Sequence, residues 1–274
     1  MTYQDFLDGL ARFGTKGDGV CLYSLGLPPE KIRENVVLSP GWELDKVPSI
    51  GRAEQIVEAS PLFGIKVWDI EYNGIYMTYI KPGCGAPLVM DALLPLGITG
   101  CKRILFLSSV GALTEDMGIG DIVLPEYSVC GDGASRYISS GGFDADVFGE
   151  KLFPNPGLFK LLQSETEKAS EKFKVKWHLG RAFCTDTIFA QYPHIDRILS
   201  MGCNSLDMES AAAFRAAKLM GIPIAALLNV SDNTVANKSV VSKRTREEMD
   251  YRRFVRGTVI TEIIHRVFET ANQN

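Results

Sequence analysis

The sequence predicts an α/β protein, layered around a mixed, mostly parallel central sheet. Short apolar runs alternate along the chain with stretches of helical character, and several of these runs are apolar throughout, as strands covered on both faces are. One dipeptide, Asn73-Gly74, lies between two such runs and signals a hairpin, so part of the sheet is antiparallel. No repeat, low-complexity block or linker interrupts the pattern, and residues 1–274 are expected to form a single domain.

Taken in order, residues 1–20 read as a short helix and a Gly-rich tail, and Tyr23 to Pro29 as a turn-like approach. Val36 to Leu38 is a strand, followed by Ser39-Pro40-Gly41. Ile50 to Ser60 has helical character. Ile65 to Ile70 and Ile75 to Ile80 are the hairpin strands. The loop Gly83-Cys84-Gly85-Ala86-Pro87 leads into a helix from Leu88 to about Leu96. Ile104 to Leu107 is a strand running into Ser108-Ser109-Val110-Gly111, and Gly118 to Asp121 turns into the strand Ile122 to Leu124. Residues 128–157, rich in Gly, Ser and Asp, are expected to be long loops. Leu158 to Phe173 is an amphipathic helix, and Gly180 to Phe189 a strand and loop carrying Asp186.

The stretch from Leu206 to Asp232 organises the rest. Its acids Asp207 and Glu209 open a helix of small residues, which Gly221 and Pro223 close. The apolar run Ile224 to Val230 follows as a buried strand ending on Ser231-Asp232. Open α/β sheets bind ligands at the carboxyl ends of their strands. Glu209 at a helix start and Asp232 at a strand end are therefore placed to flank one small polar ligand. Lys243 to Arg256 is a charged helix that the tail to Asn274 completes.

Composition narrows the classes. With 46% hydrophobic and 23% charged residues the chain can bury a sizeable core. Its formal net charge of −4 argues against a general nucleic-acid binder, which needs a basic surface. The 6 cysteines show no C-x-x-C spacing, and His178, His194 and His265 no ligand spacing, so no metal site is expected. Reduced thiols point to the cytoplasm. The first residues lack the basic and apolar regions of a signal peptide. No apolar run reaches the roughly 18 residues of a membrane span. The Gly83-Cys84-Gly85 loop lacks the third glycine of a dinucleotide fingerprint, so no nicotinamide cofactor is expected. The two hydroxyls and glycine of Ser108 to Gly111 suit an anion or a sugar.

In this order and spacing the motifs resemble the nucleoside phosphorylase superfamily: uridine phosphorylases, hexameric purine nucleoside phosphorylases and hydrolytic nucleosidases. Asp207-Met208-Glu209-Ser210-Ala211 is similar to the family's E-M-E-x-A signature, and Ser231-Asp232 to the S-D of its purine branch. Gly83 to Pro87 looks like its G-x-G-x-P loop, and Gly118 to Leu124 like its G-D-I-V segment. Asp132-Gly133-Ala134-Ser135 and Tyr23 to Leu27 lean to the uridine branch. The resemblance covers roughly residues 22–265 and implies a three-layer α/β/α fold.

It also implies chemistry. Glu209 would hold the ribose 2′- and 3′-hydroxyls, with Met208 against the sugar, and Asp232 would protonate the departing base. Arg244 or Arg246 would assist Asp232. Ile188 takes the place of an aromatic that stacks on the base, with Phe183 and Phe189 close by. Ser109 would contact the anion, and the turn holding Gly41, Glu43 and Lys46 would border it. Inorganic phosphate would be the co-substrate, with no other cofactor, and the protein would be a homo-oligomer, a dimer or larger.

The chain departs from the pattern where phosphate is held. The expected arginines fall at Asp45 or Lys46, at Phe63 and at Phe106. An N-terminal histidine falls at Ser24, and the glutamine and arginine that read uracil at Tyr192 and His194. Three functions follow as alternatives. The first is a phosphorylase that holds phosphate by other residues, such as the 243–256 arginines. The second is a hydrolytic nucleosidase using Glu43 or Asp45 to activate water. The third is a non-catalytic nucleoside-binding protein.

Overall fold

A computed structural model describes residues 1–46 and 51–273, except the side chain of Lys46. The chain opens with helices α1 (Tyr3–Arg12) and α2 (Gly17–Ser24), so the expected Gly-rich tail is partly helical. Strands β1 (Asn35–Leu38), β2 (Arg52–Val57), β3 (Lys66–Tyr72) and β4 (Ile75–Lys81) precede helix α3 (Ala86–Leu93). Then come β5 (Arg103–Ala112), β6 (Ile122–Cys130), the short β7 (Lys151–Leu152), α4 (Pro156–Phe173), β8 (Trp177–Cys184) and α5 (Ile195–Ser200). The chain ends with β9 (Ser205–Asp207), α6 (Ser210–Met220), β10 (Ile224–Asn233), α7 (Arg246–Phe254) and α8 (Ile260–Gln273). One π-helical turn, Val255–Val259, joins α7 to α8.

Residues 52–57 correct the helical expectation for Ile50 to Ser60; Ile50 itself lies outside the described residues. Arg52-Ala53-Glu54-Gln55 are mostly good helix formers, but antiparallel pairing with β3, from Arg52 opposite Glu71 to Val57 opposite Val67, outweighs local preference. The hairpin between β3 and β4 forms as expected. Asn73 and Gly74 take φ of 50° and 79°, the left-handed pair a two-residue turn demands.

The sheet is mixed. β5 pairs in parallel with β1 and β10, and β8 in parallel with β6 and β9; β10 meets β6, and β9 meets β5, antiparallel. Pairings β5–β10–β6–β8–β9–β5 thus run in a ring, while β1, β4, β3 and β2 continue as an open sheet. Strand alternation sorts the core into two layers. Along β5, Ile104 and Phe106 face α3 and α6, whereas Leu105 and Leu107 face α4 and α8. β10 does the same, with Ala226 and Leu228 on the first side and Ala225 and Leu227 on the second. Among the described residues no helix is long and apolar enough to cross a membrane.

Candidate active site

Strands β5 and β10 lie side by side in parallel, so their carboxyl ends bring two polar segments together. Asn229 sits opposite Ser109 and Val230 opposite Val110; the register then shifts, and Asp232 rather than Ser231 sits opposite Gly111. A bulge of this kind re-aims the side chains that follow it. Gly111 makes room for the result, since a Cβ there would lie 3.0 Å from Asp232 Oδ2. β5 is longer than expected: Ser108 to Gly111 belong to the strand and not to a loop beyond it.

The third contributor is the turn between β9 and α6. The acids do not both open the helix. Asp207 ends β9, and Glu209 is the cap residue before Ser210. Glu209 is only 3% exposed, and its Oε1 accepts the Gly85 backbone N–H at 2.8 Å. Gly85 reaches it with φ of 106°, which glycine adopts without strain. The Gly-x-Gly loop thus orients a carboxylate.

A cleft of about 330 Å³ unites these groups. It is lined by Gly41, Cys84, Ser108, Ser109, Gly111, Thr185, Ile188, Gln191, Leu206, Asp207, Met208, Glu209, Ser231, Asp232 and Val240. Glu209, Met208, Asp232, Ser109, Ile188 and Gly41, all expected from sequence, share it. A comparable depression beside Phe153, Phe214 and Pro223 offers lysines but no carboxylate.

Burial dominates the electrostatics. It pushes the Asp207 and Glu209 carboxyls upward, Glu209 to about 8, and the Asp207 charge adds to the effect on Glu209. Burial also raises Asp232, against the opposing pull of the Ser231 hydroxyl and of Arg244 and Arg252. Ser231 Oγ donates to Asp232 Oδ1 at 2.6 Å.

Other expected residues fall elsewhere. Arg244 does not line the cleft, though its charge acts on Asp232; it donates to the carbonyls of Ser231 at 3.2 Å, Ser242 at 2.6 Å and Ser239 at 2.8 Å. Arg246 starts α7 with its side chain 92% exposed beside Asp250 at 3.7 Å, so it does not reach Asp232. Phe183 packs with Leu113, Val129 and Leu206 and lines no part of the cleft, and Phe189 is exposed. Glu43 is paired with Lys81 at 3.0 Å and Lys66 at 3.3 Å, outside the cleft, and the lysines hold it below the usual carboxylate range. The Lys46 side chain lies outside the described residues. Phe106 is fully buried, Phe63 packs against the core, and Ser24 Oγ donates to the Asp91 carbonyl at 2.6 Å.

One residue escaped the sequence reading, and another was named there only as one of the 243–256 arginines. Gln191, one position before the expected Tyr192, lines the cleft, and its buried Oε1 has no partner among the described residues. Arg252 places Nη2 2.9 Å from Ser109 Oγ and Nε 3.1 Å from Asn229 Oδ1. In the sequence it is one of several arginines on a charged helix, and only the docking of α7 reveals the contact.

The mixed α/β sheet brings acids and hydroxyls together at a strand-end cleft. The chain belongs to the Phosphorylase superfamily, whose profile matches residues 37–260. It is 26% identical over 182 residues to the DeoD-type purine nucleoside phosphorylase of Caldanaerobacter subterraneus subsp. tengcongensis, covering 65% of this chain and 74% of that one. It is 24% identical over 172 residues to the guanosine phosphorylase of Halorubrum lacusprofundi, covering 62% and 67%. In fold it is similar to uridine phosphorylase from Vibrio fischeri ES114, with a TM-score of 0.69 at 21% identity over 93% of this chain and 96% of that one. Purine nucleoside phosphorylase from Toxoplasma gondii gives 0.70 at 14% identity over 90% and 95%.

Proposed function

We propose that the protein cleaves the N-glycosidic bond of a nucleoside and transfers the pentosyl group to inorganic phosphate. The observation that carries this reading is the shared cleft: Glu209 and Asp232 line it together with Ser109. The bond between base nitrogen and C1′ breaks with its electron pair passing to the base, leaving an oxocarbenium-like sugar. Glu209, fixed through one oxygen by Gly85, presents its remaining acceptor capacity to the ribose 2′- and 3′-hydroxyls. Hydrogen bonds from that diol favour the charged carboxylate, and its charge stabilises the cationic sugar. Met208 packs against the sugar.

Asp232 delivers a proton to the departing base. Its raised proton affinity keeps the acid form available, as a general acid needs. A phosphate oxygen then forms the new bond to C1′, on the side bordered by Ser109 and Gly41. Ile188 and Gln191 line the remaining wall, where the Gln191 carboxamide is the polar group free to read a base edge.

The hydrolytic reading asks Glu43 to activate water. Its pairing with two lysines and its lowered proton affinity suit that task poorly. A panel of purine and pyrimidine nucleosides, assayed with and without phosphate, tests the proposal. Phosphate-dependent release of base with formation of a pentose 1-phosphate supports it. Release that ignores phosphate rejects it in favour of hydrolysis, and tight binding without turnover rejects it in favour of a binding protein.

A further inference from the structure

We propose that the acceptor oxyanion is held by Arg252 and Arg256 of the C-terminal helical segment, with the Ser109 hydroxyl donating to it. This rests on the reading of phosphate as acceptor; it keeps Ser109, which the resemblance implies, and assigns the anion's positive charge to arginines other than those the resemblance implies.

The argument begins at Ser109. Its Oγ accepts from Trp42 Nε1 at 3.0 Å and from Arg252 Nη2 at 2.9 Å. A hydroxyl oxygen has two acceptor lone pairs, and both are taken. The remaining function of Ser109 is to donate its proton, and it has no acceptor among the described residues. Ser109 lines the cleft, so the group it offers there is a donor, suited to an oxyanion.

Arg252 has the same character. Two of its N–H groups are used, on Ser109 and Asn229; Asp232 acts on it electrostatically, but among the described residues no carboxylate forms an ion pair with it. Arg256 follows four residues later on the same helical face, its guanidinium 5.6 Å from the Trp42 ring centroid. Arg256 Nε is buried with no partner among the described residues. Burial first, and then Arg256, pushes Arg252 down to about 10, so it stays charged at neutral pH. These two like charges, one turn apart and partly desolvated, feel the Asp232 and Asp45 carboxylates but form no ion pair with either, so an anion that joins them directly relieves their repulsion.

The placement of α7 is specific. Tyr251 Oη donates to Asp121 Oδ1 at 3.3 Å, and His178 Nε2 meets Asp121 Oδ2 at 2.8 Å. Gly120, with φ of 94°, lets the helix approach, since a Cβ there would lie 2.7 Å from Tyr251 Cδ1 and 3.1 Å from Arg252 Cα. Asn229 Nδ2 donates to the Gly120 carbonyl at 2.7 Å and holds Arg252 through its Oδ1. The π-helical turn that carries Arg256 follows at once; such turns recur at functional sites. Phe63 and Phe106 offer no charge, so α7 and the turn after it supply it.

The test is calorimetric titration of the full chain with inorganic phosphate at low salt, beside a parallel titration with a nucleoside that the protein binds. Wild type is expected to bind phosphate. Arg252→Met should weaken phosphate by roughly 30-fold or more, because a buried charge partner is lost, while nucleoside affinity changes less than about threefold. Arg252→Lys keeps the charge but not the planar fork, and should weaken phosphate by about tenfold. That variant decides the matter if Arg252→Met does not fold. Phosphate affinity unchanged in the folded variants overturns the proposal, as does a wild type that binds no phosphate with or without nucleoside. Phosphate binding lost with Arg252, in a protein that nonetheless releases base without phosphate, sustains the anion site and rejects phosphorolysis.

Discussion

The backbone N–H of Gly85 donates to Glu209 Oε1 at 2.8 Å, joining residues 124 positions apart. The contact, with further hydrogen bonds from the Met208 backbone and the Ser108 hydroxyl, fixes the direction of the carboxylate at the cleft. Glu209→Ala should therefore lower kcat/KM by roughly 100-fold or more while the fold persists, because the oriented carboxyl that receives the ribose diol is removed. Steady-state kinetics beside a circular dichroism melt checks this. A loss below fivefold would remove Glu209 from the chemistry.

Asp232→Asn should lower kcat by roughly 10²–10⁴-fold for nucleosides whose base leaves poorly, and far less for those whose base leaves without protonation. The pH profile gives a second readout. Burial raises Asp232, and its acid form is the competent one, so kcat should fall as pH rises through its titration. In Asp232→Asn that alkaline limb should vanish.

Stability should also depend on Glu209 with a definite sign. Its folded-state value, about 8, lies above the ordinary 4.5, so the folded state binds the proton more tightly than the unfolded one. Its favourable contribution is complete below about pH 4.5 and is lost as pH climbs toward 8. Glu209→Gln should flatten that decline, leaving the variant more stable than wild type at pH 8 by about 1–3 kcal/mol. Urea denaturation across this range measures it, and parallel stability curves would contradict the assignment.

Gly111→Ala should act through Asp232 alone. The new methyl would lie 3.0 Å from Asp232 Oδ2, and the carboxylate must shift to admit it. Turnover should drop about tenfold, since an ångström of misplacement is expensive in catalysis. Phosphate affinity should hold, and titration of both quantities separates the two effects.

Arg246→Ala should leave activity within about twofold and stability within about 0.5 kcal/mol, as expected of an exposed surface change. Arg244→Ala should be costly, because the carbonyls of Ser231 in β10 and of Ser239 and Ser242 beyond it lose their shared donor. Side-by-side kinetics of the two variants distinguish these positions.

The legible parts of the sequence were those written in local chemistry. Asn73-Gly74 fixed a turn, and Gly221 with Pro223 closed a helix. The strand run ending at Asp232 marked one wall of the cleft. Residues 52–57 misled because the pairing that makes them a strand comes from β3. The ring closure through β10 and β5 left no periodic trace. Arg252 could not be singled out for a related reason: in the chain it is one of several 243–256 arginines offered for an anion, and only Gly120 and Asp121, the latter 130 residues from Tyr251, bring it to Ser109. Gln191 was missed by one position, because spacing alone does not settle register in a loop.

The most direct test is a crystal structure with a nucleoside and phosphate, or an unreactive nucleoside analogue and phosphate, in the cleft. The account predicts both ribose hydroxyls on Glu209, the base nitrogen within hydrogen-bond reach of Asp232, and the anion beside Ser109. A nucleoside bound with its sugar away from Glu209, or with its base out of reach of Asp232, would contradict it.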